Sequence, residues 1–212
     1  MGKIFVIGIS GGTASGKSTI ADNLSKNATP DATNVMRLDY YYVDHPELPF
    51  DKRKTLNYDC PDAFDVELIV QHLKALKSGQ SIERPSYDFT NHRRQNETEH
   101  VEACPVIIVE GIMALTIPEI RELIDFKIFV DTPPDVRLLR RIYRDMNERG
   151  RTLDSIAYQY LNTVRPMHDL YVEPSKVHAD IIVPEGGYNL VALDLLVNRI
   201  QQMIEESKKE LR

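Results

Sequence analysis

Nine consecutive residues near the start of the chain, GGTASGKST from Gly11 to Thr19, carry the strongest chemical signal in the sequence. Gly11, Gly16, Lys17 and Ser18 fit G-x-x-x-x-G-K-[ST], a spacing that wraps backbone N–H groups around phosphate oxygens. The glycines allow the close approach. Lys17 would bring positive charge to the β- and γ-phosphates, and Ser18 would place a hydroxyl on Mg²⁺. The motif implies a nucleoside triphosphate and leaves the fate of its γ-phosphate open.

Three carboxylates follow apolar runs: Asp39 after VMRL, Glu110 after VIIV and Asp131 after KIFV. In an open parallel sheet, ligands bind outside the carboxyl ends of the strands. Mg²⁺ at a nucleotide is held by one or two carboxylates plus waters. A kinase also needs a carboxylate to orient the acceptor hydroxyl and take its proton. Glu110, ahead of Gly111, suits the metal side, and Asp39, which opens an aromatic run, suits the acceptor side. Asp131 precedes Thr-Pro-Pro and is expected to cap a helix or loop. A capping or turn role is open to all three.

The elements that must position these residues show in the hydropathy pattern. Ile4–Ile9, Val35–Leu38, Val106–Val109, Phe126–Val130 and Asp180–Val183 read as buried strands, with helical patterns between them. That alternation argues for βα units and a parallel sheet. Helices are expected over Ser18–Lys26, Asp62–Lys77 (after Pro61, ending near Gly79), Pro134–Glu148 and Leu153–Met167. The last helix carries one apolar face through Leu193, Leu196, Val197, Ile200, Met203 and Ile204, and the tail EESKKELR is expected to be a solvated end. Val43–Tyr58 reads as loop or short helices, and Ser81–Glu102 as a β-hairpin arm.

Arg137, Arg140, Arg141 and Arg144 recur at i, i+3, i+4 and i+7, on one face of the Pro134–Glu148 helix. Glu148-Arg149-Gly150-Arg151 follows, with glycine as a possible hinge. Converging arginines stabilise a transferring phosphoryl group, and a closing segment excludes water. A solvated charged face is the alternative, and acidic partners at suitable spacing look scarce along this stretch.

The 212 residues suffice for a single domain over 1–212, and a net charge of −6 argues against a general nucleic-acid or acidic-membrane binder. Two cysteines, Cys60 and Cys104, make neither a disulfide framework nor a zinc site by themselves and suit a reducing cytoplasm. No apolar run approaches a membrane span, no signal peptide is seen, and the Met-Gly start lacks the Ser/Thr of a myristoylation signal. A cytoplasmic location is the expectation.

Read in order, GGTASGKS, LDYYY, NYDCPDAFD, SYDFTNHRR, VEGI, RRIYRDMNERGR and AYQY resemble the uridine–cytidine kinase family, bacterial-type, from about Ile4 to Ile200. The resemblance implies an α/β, P-loop NTPase fold: a central five-stranded parallel sheet flanked by helices, a nucleoside-binding hairpin arm (81–102) and an Arg-rich lid (about 141–165). It implies transfer of the γ-phosphate of ATP or GTP, with Mg²⁺, to the 5′-hydroxyl of uridine or cytidine. It also implies a homo-oligomer, often a tetramer. Gly11, Gly12, Thr13, Ala14, Ser15, Gly16, Lys17, Ser18 and Thr19 would hold the donor phosphates, with Ser18 and Glu110 on the metal side. Asp39 matches the family's catalytic acid/base, Tyr42 its neighbour, and Asp59 the carboxylate on the ribose hydroxyls. Tyr58 and Phe89 would sandwich the base, while Tyr87 and His92 would read its edge. Arg141, Arg144 and Gln159 would line the nucleoside side, with Arg144 counted among the catalytic groups. Arg149 and Arg151 would form the lid over the phosphates. The family often has His at the position of Cys60 and sometimes Phe at that of Tyr58.

Two other functions fit parts of this pattern: a kinase of another small hydroxyl compound on the same fold, and a nucleotide-hydrolysing switch. Against the switch, the chain has no N-K-x-D-type guanine motif and does carry a substrate arm.

Overall fold

The structure, a computed structural model, describes residues 2–29 and 31–209. Its strands are β1 (Phe5–Gly11), β2 (Thr33–Arg37), β3 (Ile82–Asp88), β4 (Arg93–Val101), β5 (Val106–Glu110), β6 (Phe126–Asp131) and β7 (Ile181–Pro184). Five of them form a parallel sheet in the order β2-β5-β1-β6-β7, and β3 and β4 form a separate antiparallel hairpin. The principal helices are α1 (Lys17–Asn27), α2 (Val66–Lys77), α3 (Pro134–Glu148), α4 (Leu153–Gln159) and α5 (Leu190–Lys209). Beyond α4 the helical path continues through wide π-type turns at Tyr160–Val164 and His168–Val172.

The sheet strands are apolar on both sides because helices cover both faces. Side-chain alternation sends Val6, Ile107, Val109 and Phe129 to the face covered by Ile69, Leu73 and Leu76 of α2. Ile7, Ile9, Ile108 and Ile128 go to the other face, under Ile20 and Leu24 of α1 and Leu193, Leu196, Ile200 and Met203 of α5. The apolar stripe read for the last helix is thus its inward face. In-register pairing of β1 with β5 and β6 brings Gly11, Glu110 and Asp131 to one end of the sheet. Arg37, at the end of β2, pairs with Glu110, and the following 3₁₀ turn, Leu38–Tyr41, carries Asp39 to the same end.

Three expectations need correction. Helix α2 starts at Val66, not Asp62: Pro61–Ala63 makes a short 3₁₀ turn, and Asp65 caps the helix by accepting from Leu68 N at 3.2 Å. Asp131 caps nothing; its carboxylate pairs with Lys176 Nζ at 2.7 Å, and α3 opens on Pro133 without a side-chain cap. Helix α5 runs through Lys209 with Ser207 buried, so the solvated end is shorter than read, and residues 210–212 lie outside the described residues. Helix α3, whose arginine face is open between site and solvent in the sequence, turns part of it inward: Arg137, Arg141 and Asp145 are buried, while Leu139, Tyr143 and Met146 are exposed. Met1 of the Met-Gly start also lies outside the described residues. Among those described, no helix is long and apolar enough to cross a membrane.

Candidate active site

The loop between β1 and α1 has the backbone its sequence implies. Gly11 and Gly16 sit at φ 141° and 97°, and Ala14 takes φ 57° between them. Gly16 enters α1 without a side-chain cap, and no acidic residue stands in the first turn. The first N–H groups of α1 are therefore left for an anion, where the helix dipole favours one. Close packing holds the loop from outside. A Cβ on Gly12 would lie 2.3 Å from Arg137 Nη1, and one on Gly186 would lie 2.2 Å from the Ser15 carbonyl. Thr132 Oγ1 donates to that carbonyl at 2.9 Å, while the buried Ser15 hydroxyl has no protein partner.

A cleft of about 540 Å³ opens over the loop. Thr13, Ala14, Gly16, Lys17, Ser18 and Thr19 line it together with Asp39, Glu110, Arg140, Arg144 and Tyr188. Lys17 Nζ donates to the Gly12 carbonyl at 3.0 Å and lies 3.9 Å from Glu110 Oε1. Burial pulls the Lys17 ammonium pKa down, and the charges of Glu110 and Asp39 oppose that shift. Burial likewise pushes the Glu110 carboxyl up against the pull of Lys17. Ser18 Oγ donates to Glu110 Oε2 at 3.1 Å. A hydroxyl and a carboxylate side by side are hard oxygen donors, which fits Mg²⁺ with most of its shell supplied by water and phosphate. Among the described residues no cluster of three or more His, Cys, Asp or Glu could hold a metal.

Asp39 joins this cleft to the aromatic side of the molecule. The Tyr42 hydroxyl points at Asp39 Oδ1 from 3.4 Å. The Tyr42 ring packs against Tyr58 (centroids 5.0 Å apart), Phe64 (4.8 Å) and Tyr87 (5.4 Å). Tyr87 touches Phe89 at 5.3 Å, and Phe89 touches Tyr40 at 6.0 Å. All the residues expected to read the base thus fall in one cluster, with one difference. Tyr58 stacks on His92 at 5.2 Å and 25°, whereas Phe89 lies against Tyr87 and Tyr40, so Tyr58 and Phe89 face different rings. The Tyr87 hydroxyl is buried, with the Tyr58 hydroxyl as its polar neighbour, and could exchange that contact for a ligand edge. Burial and nearby arginines hold the His92 imidazole below its usual range, which favours the neutral ring. Burial raises the Asp59 carboxyl, with Arg141 opposing.

The arm is fastened at three heights. Arg84 donates to the Val35 carbonyl at 2.8 Å and pairs with Glu99. Arg94 donates to Asp65 Oδ2 at 3.1 and 3.2 Å and to the Tyr42 carbonyl at 3.0 Å. Arg53, buried in the short helix Phe50–Arg53, donates to the Asn91 carbonyl at the tip. Sequence reading missed all three, because each bond joins residues well separated along the chain.

The arginine stripe divides. Arg137 is a buried brace, bonded to the Thr132 carbonyl at 2.9 Å and to His168 Nε2 at 3.1 Å. Arg140 stacks over Tyr188 at 5.0 Å, and Arg144 enters the cleft. Arg141, expected on the nucleoside side, donates to Thr13 Oγ1 at 2.9 Å and Gln159 Oε1 at 2.8 Å. Gln159 also accepts from Arg151, so these three residues tie the phosphate loop to the segment that follows α3. Arg149 lies over the Phe89 ring at 5.9 Å, toward the arm rather than over the phosphate loop. Acidic partners are not lacking after all. Asp145, fully buried, lies within 4 Å of Arg141, Arg144 and Arg149. Its i+4 spacing from Arg141 was the available signal.

Comparison with known proteins places this geometry in context. The model of the Phosphoribulokinase / Uridine kinase family matches residues 6–192. The chain is 51% identical over 203 residues to the uridine kinase of Clostridium novyi (strain NT), covering 96% of this chain and 98% of that one. It is 52% identical over 203 residues to the uridine kinase of Clostridium tetani (strain Massachusetts / E88), covering 96% and 97%. Among solved structures it resembles a putative fructose transport system kinase from Silicibacter sp. TM1040, with a TM-score of 0.68 at 20% identity over 86% of this chain and 90% of that one. It also resembles a possible uridine kinase from Bacillus stearothermophilus, with a TM-score of 0.61 at 20% identity over the same shares. At that identity the two structures speak to the fold alone.

Proposed function

The chain belongs to the Phosphoribulokinase / Uridine kinase family, and from that premise we propose that it is a uridine kinase. It transfers the γ-phosphate of a nucleoside triphosphate to the 5′-hydroxyl of uridine or cytidine, giving the monophosphate, a step of pyrimidine salvage. The observation that carries this reading is the position of Asp39. It lines the triphosphate cleft and is also the carboxylate toward which Tyr42, at the centre of the aromatic cluster, points its hydroxyl.

In this reading the loop N–H groups and Lys17 cradle the donor phosphates. Ser18 and Glu110 would hold Mg²⁺, which supplies positive charge to the phosphate oxygens. Asp39 orients the 5′-hydroxyl and takes its proton as the oxygen attacks the γ-phosphorus, and the nucleoside diphosphate leaves along the cradle. Asp59 receives the ribose hydroxyls. Tyr87 and His92 address the base edge, and the aromatic rings of the arm address its face. Arg144 meets the transferring group from the cleft wall. Arg140, stacked over the 75% exposed Tyr188 on the cleft wall, offers the base of the donor, ATP or GTP, a face for stacking.

Two further parts belong to the proposal. The exposed Leu139, Tyr143 and Met146 of α3, with Leu153 and Tyr158 on the adjoining α4, offer an apolar surface for a second copy, and support a homo-oligomer. The free thiols Cys60 and Cys104 fit a reducing cytoplasm.

ADP release with Mg·ATP, measured with and without uridine, tests the reading. Strong release only with uridine or cytidine is expected. Slow release that ignores every nucleoside would point to a hydrolysing switch, and a response to a different acceptor would point to another small-molecule kinase.

A further inference from the structure

We propose that Asp145 is a positioning residue for phosphoryl transfer, its carboxylate aiming Arg144 at the transferring group while it holds Arg149 toward the arm. The proposal rests on the kinase reading above and adds a residue that the motifs of the chain do not assign. Asp145 is completely buried on the inward face of α3. Its Oδ1 accepts from Arg144 Nε at 2.9 Å and lies 2.8 Å from Nη2 of the same guanidinium and 3.7 Å from Arg149 Nη1. Its Oδ2 lies 3.5 Å from Arg141 Nε, and neither of those two atoms completes a hydrogen bond.

The three arginines lead to different parts of the site. Arg141 reaches Thr13 of the phosphate loop, Arg144 enters the cleft, and Arg149 lies over Phe89 of the arm. The main chain adds a fourth tie, because Arg151 N–H donates to the Asp145 carbonyl at 3.0 Å where Gly150, at φ 60°, turns the chain out of α3. One residue therefore couples the donor loop, the cleft wall, the arm and the root of the lid.

The physical reason for a carboxylate at this point is geometric and electrostatic. A guanidinium is a planar fork, so fixing its Nε/Nη2 edge on Asp145 sets the plane in which Arg144 lines the cleft. Three guanidiniums around one carboxylate leave a surplus of positive charge facing the place where phosphates bind. An arginine held in this way loses no further freedom when charge develops on the phosphoryl oxygens, and that preorganisation is what raises kcat.

The test compares Asp145→Asn with the parent. Asparagine keeps the shape but removes the charge and turns an amide donor toward the arginines. The expected result is a split: kcat falls about 10- to 100-fold, somewhat less than loss of a direct transition-state donor. Meanwhile KM for Mg·ATP, and equilibrium Mg·ATP binding without acceptor, stay equal or tighten, since the freed arginines still attract the phosphates. In an Arg144→Gln background the same substitution should cost less than about two-fold more, because the two residues act as a unit. Parent-like kcat, a loss shared equally by kcat and Mg·ATP affinity, or full additivity in the double variant would each overturn the proposal. Where Asp145→Asn fails to fold, Asp145→Glu keeps the charge and displaces it, and must show the same split; an unsplit change there overturns the proposal as well. Turnover of uridine by the parent is measured first. Its absence would overturn the nucleoside-kinase reading and the proposal with it, whereas parent turnover with an unsplit Asp145→Asn overturns the proposal alone.

Discussion

The Arg94 clamp makes the most quantitative prediction. Replacing Arg94 by Gln removes its two bonds to Asp65 Oδ2 and one to the Tyr42 carbonyl, while the arm keeps Arg84 at its base and Arg53 at its tip. Hydrogen bonds to charged groups contribute about 1.5–3 kcal/mol. Arg94 and Asp65 are 23% and 31% exposed, which puts their pair at the low end. Taking about 1.5 kcal/mol for Asp65 and about 1 for the carbonyl, docking weakens by about 2.5 kcal/mol. At about 1.4 kcal/mol per decade that is roughly 60-fold in the docking equilibrium. The apparent nucleoside affinity falls with the fraction of arm that is docked, so 60-fold is a ceiling, and KM for uridine should rise about 10- to 50-fold. Saturating uridine redocks the arm, so kcat should stay within about three-fold of the parent. KM for ATP should not move, because Arg94 does not line the triphosphate cleft. Asp65 still caps α2 through Oδ1, so the helix keeps its start. Steady-state kinetics with each substrate varied in turn checks this. A fall in kcat at unchanged uridine KM, or an equal rise in both KM values, would refute the idea that Arg94 acts by docking the arm.

Four other outcomes are expected. Asp39→Asn should lower kcat about 10²- to 10⁴-fold with ATP affinity nearly intact, and near-parent turnover would remove Asp39 from the role of base. Glu110→Gln should shift the Mg²⁺ requirement upward, and a titration curve that overlays the parent's would count against a metal-side role. For Asp59, kcat/KM for uridine over 2′-deoxyuridine should be roughly 5- to 150-fold in the parent, from about 1–3 kcal/mol for an unpaired polar group. That ratio should collapse in Asp59→Ala; equal losses on both substrates would move ribose recognition elsewhere. Because burial and nearby arginines hold His92 below its usual range, it is neutral at pH 7 and gains charge only as the pH falls. KM for uridine should therefore be flat above about pH 6.5 and rise below it, and His92→Ala should abolish that rise.

The sequence by itself determined the parts that depend on short-range spacing. The loop Gly11–Thr19 could be read because its chemistry is local: glycines, lysine and hydroxyl act within one turn of chain. The parallel sheet could be read from apolar runs alternating with helical patterns, and Asp39 and Glu110 from their places after such runs. The hairpin arm could be read from the β-like residues within Ser81–Glu102. Only the tertiary structure decided which groups these elements bring together. Periodicity placed four arginines on one face of α3, but whether that face meets water or a buried carboxylate depends on what packs against it. Arg141 finds Thr13 across 128 positions, and Arg94 finds Asp65 across 29, distances at which sequence spacing holds no geometric information. The start of α2 moved from Asp62 to Val66 because Pro61 starts a 3₁₀ turn first, and Asp131 turned to Lys176 because β6 ends beside the turn that carries it. A helix or strand records in its own residues which side is apolar. Its polar side takes its partners from the rest of the fold, because a buried charge must be paired by whatever lies within reach.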